Sequence, residues 1–356
     1  MKYSLLLLSI LLSPYALSKN IVFVNPSVPG VSFWDRVTNI SLAAARDLNL
    51  VVEVVYGEDN RITHFETLTN IASRKNKPDL VIFMPYGGNA KYAYELFENA
   101  KIPFITMERT LEKQEAQTVG TPGKRFKYWF GEVFHNNEEA GKKLADSIIK
   151  RGYTVFNKKK LSLAALTGSF SGESSHRNDG LLASIAEHPD VKLLQIIPAN
   201  WSRERGKAAI HKLINRYETV DVVWSASDSM ALGVLDSLKA KPSEHQPSMV
   251  VGGFDWTLEA VKEIKQGNLH ASVGGHIFQG AWTLVLAKDL LLGKIGKYKS
   301  ISYSLEIIDT QNVNRFEIFA TNYDWDTIDF NKFRLSEGQL ETEYPFNIDR
   351  VLSQIK

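Results

Sequence analysis

From Ile21 onward, short unbroken apolar runs alternate with stretches whose apolar residues recur every three or four positions. Ile21-Val22-Phe23-Val24 ends at Asn25-Pro26 and reads as a strand closed by a turn. Over Asp35 to Leu48, residues Val37, Ile40, Ala44 and Leu48 fall on one helical face. The alternation continues with strands at 51–55, 79–84 and 102–107 and helices at 63–73 and 92–99. Such runs suit strands buried on both faces, and the helices between them predict right-handed crossovers in a parallel sheet.

The rhythm pauses over the polar stretch Glu108 to Lys127 and then repeats. Strands are expected at 161–166, 191–197, 221–224, 249–252 and 270–273, with helices at 138–150, 178–187, 204–216, 229–238 and 258–266. Ser202, Asp228 and Thr257 are natural N-caps. Two α/β units in series predict two Rossmann-like lobes with parallel sheets, and ligands are expected beyond the carboxyl ends of the strands. From Tyr323 to Tyr344 aromatic and acidic residues crowd together without rhythm. This tail packs on a lobe or, alternatively, docks a partner.

The N-terminus changes the picture. Met1-Lys2, the apolar run Leu5 to Leu12 and Ala16-Leu17-Ser18 form the three parts of a secretory signal, with cleavage expected after Ser18 and export to the periplasm. The run is shorter than the roughly 20 residues a bilayer span needs. With no cysteine in the chain there is no lipid attachment, disulfide or thiolate chemistry to expect. Forty-two basic residues against 40 acidic ones leave no basic stripe for nucleic acid, and Lys158-Lys159-Lys160 reads as a solvated loop.

Reactive chemistry is weakly signed. Gly168-Ser169-Phe170-Ser171-Gly172 has phenylalanine where a nucleophile elbow needs serine. Gly120 to Arg125 is too short for a phosphate loop, no Gly-x-Gly-x-x-Gly follows the first strand, and the histidines lack metal-ligand spacing. Neither an enzyme nor a cofactor nor a metal is expected.

The residues at the strand ends resemble those of type I periplasmic binding proteins, the ribose and galactose receptor family, from Ile21 to about Leu305. Asn25-Pro26 with Phe33-Trp34 is similar to the family's first-strand loop, whose aromatics stack on sugar. Glu108-Arg109 stands where the family has Asp-Arg, and Arg177-x-x-Gly180-Leu181 resembles its Arg-x-x-Gly-Phe. Trp201 looks like the aromatic that covers the other ligand face. Ser227-Asp228-Ser229-Met230-Ala231-Leu232-Gly233 resembles Asn-Asp-x-Met-Ala-x-Gly, with serine replacing a ligand-binding asparagine, and Gly253-Phe254-Asp255 resembles Gly-Phe-Asp. Gly274-Gly275-His276 replaces a family glutamine and offers an imidazole beside it.

The resemblance implies a ligand site made of Asn25, Phe33, Trp34, Glu108, Arg109, Arg177, Trp201, Ser227, Asp228, Asp255 and His276. Trp34 and Trp201, in strand-end loops, would stack on a sugar's C–H face, and Arg177 would bridge neighbouring hydroxyls. Glu108 and Arg109 could instead pair with each other, His276 could be structural, and Asp228 is a helix cap first. The expected organisation is a signal peptide over 1–18, an N-terminal lobe of 19–131 with 275–302, and a C-terminal lobe of 132–274 with 303–356 including the tail. Crossovers near Phe130-Gly131, Gly274-Gly275 and Tyr303 would hinge the lobes. The implied function is a monomeric periplasmic solute-binding protein that captures a small polar, sugar-like ligand and presents it to an ABC transporter permease. The alternative is the sensing subunit of a membrane receptor, and less so a periplasmic enzyme. A repressor of this architecture would carry a DNA-reading module where the signal stands.

Overall fold

A computed structural model describes residues 19–169, 172–239, 249–294, 296, 298–335 and 343–355. The expected signal segment, 1–18, lies outside them. The first unit runs β1 (Lys19–Asn25), α1 (Ser32–Asp47), β2 (Leu50–Tyr56), α2 (Arg61–Ala72), β3 (Leu80–Phe83) and α3 (Ala90–Ala100). It continues through β4 (Phe104–Glu108), α4 (Lys113–Val119) and β5 (Trp129–His135). The second unit runs α5 (Asn137–Phe156), β6 (Leu161–Thr167), α6 (Glu173–Glu187), β7 (Val191–Pro198) and α7 (Arg203–Arg216). It ends with β8 (Val222–Ser225), α8 (Asp228–Lys239), β9 (Val250–Phe254), α9 (Leu258–Lys265) and β10 (Ala271–Gly274). After α10 (Gln279–Leu291), β11 (Lys299–Tyr303) and β12 (Glu306–Asp309) return one strand to each unit, and α11 (Ile348–Leu352) closes the chain.

Two six-stranded sheets result, ordered β2-β1-β3-β4-β5-β11 and β7-β6-β8-β9-β10-β12. The orders are equivalent, so the unit is used twice. All pairings are parallel except β10 with β12. The polypeptide passes between sheets after His135, after Gly274 and after Tyr303. The expected passage at Phe130-Gly131 falls inside β5, a strand missing from the sequence reading. Among the described residues no helix is long and apolar enough to cross a membrane.

Close helix packing positions the site. Gly141 on α5 faces the Arg177 backbone, and Gly180 on α6 faces the Glu138 carbonyl, so tightly that a Cβ on either would collide with backbone. That reciprocal contact sets where Arg177 stands. Ser202 and Thr257 cap their helices, accepting from Arg205 N and Ala260 N at 3.3 Å each. Asp228 does not cap α8; Ser227 does, its hydroxyl accepting from Met230 N at 3.3 Å.

The tail, expected with the C-terminal lobe, lies across both units. Phe316 and Phe319 pack on Trp256 beyond β9. Trp325 meets Phe278, Phe346 stacks on Trp282 of α10 and Phe333 packs tilted against it, and α10 itself packs on α1, β4 and β5. Asp289 of α10, fully buried, takes hydrogen bonds from Arg334 (2.7 Å) and Tyr344 (3.1 Å). In its described parts the tail is a packed strap.

Candidate functional site

The carboxyl ends of the two sheets face each other, and their residues form one buried polar cluster. Arg177, 3 % exposed in the second turn of α6, is its centre. Its Nε donates to Asn137 Oδ1 at 2.9 Å and its Nη1 to the Ala226 carbonyl at 2.7 Å. Its guanidinium lies 4.5 Å from the Phe254 ring centre and 3.7 Å from Asp255 Oδ1. His276 Nε2 stands 3.2 Å from that same oxygen and 3.5 Å from Arg177 Nη2. Phe33 lies against the imidazole, ring centres 4.7 Å apart, with Trp34 edge-on beyond it.

From the first unit Glu108 ends β4 with φ at +76°, a conformation rare for a residue with a side chain. Its Oε1 is 3.8 Å from His135 Nε2, and His135 lies 5.0 Å from the His276 ring. Gln279, at the start of α10, faces Glu108 without completing a hydrogen bond of ordinary geometry. Among the described residues several buried polar atoms here complete no hydrogen bond of ordinary geometry: Glu108 Oε2, both ring nitrogens of His135 (which has Asn137 beside it), His276 Nδ1, both amide atoms of Gln279 and the Tyr303 hydroxyl. Buried polar groups are nearly always paired, so such a concentration marks a place that awaits hydrogen bonds from elsewhere.

Five of the expected residues meet in this cluster: Phe33, Glu108, Arg177, Asp255 and His276. Trp201 stands at its edge, 6.0 Å from the Arg177 guanidinium, over a Gly168 that any Cβ would push into the indole. Phe33 and Trp34 lie in the first turn of α1 rather than in a loop. Arg109 does not pair with Glu108. It reaches across to the other unit, where its Nε donates to Glu173 Oε1 at 2.7 Å, while its guanidinium lies over Tyr86.

The remaining three are occupied within the fold. Asn25 donates to Thr38 Oγ1 at 2.9 Å and accepts from Ser27 N at 2.9 Å, pinning the turn after β1. Ser227 is the α8 cap. Asp228 is fully buried and accepts from Thr257 N (2.8 Å) and Ser272 Oγ (2.8 Å), tying the start of α8 to the loop after β9. His135, Gln279 and Glu173 are absent from the sequence reading, and Tyr303 enters it only as a crossover between the lobes. His135 and Tyr303 each end a strand that feeds a crossover, the one signal that could have found them.

Burial sets the electrostatics. It pushes the Glu108 carboxyl up to about 8, with Glu173 adding to the push and Arg177 opposing it. It raises Asp255 to about 7 against the pull of Arg177. It also drives His135 and His276 well below the ordinary imidazole range. Among the described residues no group of three or more His, Cys, Asp or Glu side chains could hold a metal ion.

These shifts predict an asymmetric pH profile. Glu108 and Asp255 keep protons that the unfolded chain releases above the ordinary carboxylate range, so their contribution is lost as pH rises toward 7 and 8. The histidines resist protonation when folded, so theirs is lost as pH falls below about 6.5. Stability of the ligand-free protein should therefore decline between pH 6.5 and 8.5. Glu108 alone accounts for about 2 kcal/mol of that fall, at about 1.36 kcal/mol per pKa unit. Urea titrations at the two pH values should show Glu108→Gln losing that part of the slope. An unchanged slope would mean that Glu108 is ionised at neutral pH.

Residues 21–295 match the family model described as periplasmic binding protein domain. The chain is 23% identical over 267 residues to the ribose import binding protein of Salmonella typhimurium, covering 75% of this chain and 82% of that one. It is 22% identical over 327 residues to a D-apiose import binding protein of Actinobacillus succinogenes, covering 90% and 98%. A periplasmic sugar-binding protein from Pseudomonas fluorescens shares the fold with a TM-score of 0.82, at 23% identity over 94% of this chain and 99% of that one. On the family match, which runs through both sheets, the chain belongs to the type I periplasmic binding protein family.

Proposed function

We propose that this protein captures a neutral, hydroxyl-rich ligand, a sugar, polyol or cyclitol, between its two units. It acts as a monomer exported by a cleaved signal and delivers the ligand to a membrane permease without altering it. The observation that carries the ligand class is the cluster at the sheet ends. It pairs one buried guanidinium and several unpartnered hydrogen-bonding atoms with the aromatic faces of Phe33 and Trp201. A ring with hydroxyls on its rim and C–H on its faces meets both demands. The names of the relatives, import proteins for ribose and D-apiose, support the same class and the permease as partner.

Closure is a population shift driven by contacts that need both units at once. The Arg109–Glu173 pair already joins them. A ligand that binds only the folded state raises stability by about 2.7 kcal/mol at 100 times its Kd. Thermal melting of the mature protein with D-ribose, D-allose, D-galactose, xylitol and myo-inositol, beside amino acids, nucleosides and anions, tests this reading. Hits are expected among the sugars and polyols, with ribose weaker than the best of them. The ligand should be recovered unchanged after incubation. Hits confined to amino acids, nucleosides or anions would overturn the ligand class.

A further inference from the structure

Beyond the strand-end residues lies a second group with one property in common. Each is a neutral hydrogen-bonding side chain whose buried polar atoms complete no hydrogen bond of ordinary geometry among the described residues, and each stands where the chain passes between the sheets. His135 is the last residue of β5, before the first passage, and Tyr303 is the last of β11, before the third. The two strands are neighbours with Tyr303 opposite His135 in register, which sets their rings 5.7 Å apart on one edge of the sheet. Gln279 opens α10, just after the second passage, and faces Glu108 with neither amide atom completing a hydrogen bond of ordinary geometry among the described residues. The Tyr303 ring is partly exposed, but its hydroxyl is buried.

We propose that His135, Gln279 and Tyr303 form a hinge-side subsite that holds a hydroxyl-bearing arm of the ligand beyond the reach of Arg177 and Asp255. The inference rests on the sugar reading above and adds to it a second point of recognition. A neutral imidazole, an amide and a phenol each donate and accept, so each suits an alcohol, which also does both. None offers a permanent charge to hold a carboxylate, a phosphate or an amine. Ring-centre steps of 5.0 Å from His276 to His135 and 5.7 Å from His135 to Tyr303 continue the polar surface from His276 to the edge strand β11. The ligand therefore extends past the group that Arg177 and Asp255 grip. The three side chains also stand at the three passages between the units, so an arm bound here touches every segment that must move on closure.

The test uses the mature protein, the panel compound that stabilises it most, and the mono-deoxy analogues of that compound. Tyr303→Phe and Gln279→Leu each remove hydrogen-bonding capacity with little change of shape. Calorimetry should show each variant binding the parent compound about tenfold more weakly, the scale of one neutral hydrogen bond. For one deoxy analogue, wild type and Tyr303→Phe should bind equally, since the partner hydroxyl is already gone. Parent affinities within twofold of wild type in both variants would overturn the subsite and leave the sugar reading standing. So would an equal loss for every analogue, which marks a structural role. A wild type silent to every sugar and polyol would overturn both.

Discussion

Arg177→Ala is expected to lower the unfolding free energy by about 3–5 kcal/mol and to remove measurable ligand binding. The side chain is 3 % exposed and its contacts come from four parts of the chain. Asn137 at the start of α5, the Ala226 carbonyl beyond β8, Asp255 beyond β9 and His276 beyond β10 all converge on one planar group. Truncation leaves the Ala226 carbonyl and Asn137 Oδ1 without their donor and Asp255 without its cation. Breaking a buried pair from one side costs far more than the intact pair contributes, because the acceptors stay buried without their donor and Asp255, freed from the pull of Arg177, must hold its proton to still higher pH. Arg177→Lys keeps the charge but loses the flat fork that reaches several acceptors at once, so it should fall between wild type and alanine. Urea unfolding decides the matter. A loss below about 1 kcal/mol for the alanine variant, on the scale of an exposed pair, would show that the group is solvated and that the cluster is not the centre of the site.

The parts of this fold that the sequence announced are those held by local patterns. Ile21 to Val24, Leu80 to Phe83 and Leu163 to Leu166 are buried on both faces, and an unbroken apolar run is what such a strand requires. β5 escaped because Gly131 and Glu132 interrupt its apolar character. Glu132 is tolerated there because Ser300 of the neighbouring strand donates to it at 2.6 Å, a partner supplied from 168 positions away. α1 starts three residues before the periodicity predicts, because Val31 gives it no side-chain cap and the usual marker is missing. α6 likewise begins at Glu173, after a Gly172 with φ at +62°.

The site divides the same way. Arg177, Asp255, Glu108 and His276 sit in short motifs at strand and helix ends, so each position is legible in the sequence although its partners come from elsewhere in the chain. Asn25, Ser227 and Asp228 sit in equally recognisable motifs, yet their side chains serve the turn, the cap and the loop around them. A motif names the position and leaves the partner open. The Arg109–Glu173 contact depends on how the two units meet, which no local pattern encodes. His135 beside Tyr303 needs β11 to return to β5 after the whole second unit has been built.

The strap across the two units sets the last expectation, that Trp256→Ala loses about 3–5 kcal/mol of stability, the range for removing a large buried aromatic. Ligand affinity should fall with it. Trp256 follows Asp255 in a turn where both residues have positive φ, 106° and 52°, so the backbone that aims the Asp255 carboxylate is strained and must be held from outside. The indole holds it. Its Nε1 donates to the Ser272 carbonyl at 3.0 Å, its face covers Gly274, and its own carbonyl accepts from Arg36 Nη1 of α1 at 2.5 Å. Phe316 and Phe319 of the tail close over the ring. Without it, Asp255 is free to relax away from Arg177 and His276, and the tail loses the aromatic part of its contact with the second unit. Phe319→Ala separates the two effects. It removes a tail ring but leaves the hydrogen bonds of Trp256 in place, so stability should drop while the folded protein keeps most of its affinity. Urea midpoints at constant m-value report the first quantity and calorimetry on the folded fraction reports the second. Equal affinity in wild type and Trp256→Ala would show that the Asp255 turn holds its shape unaided.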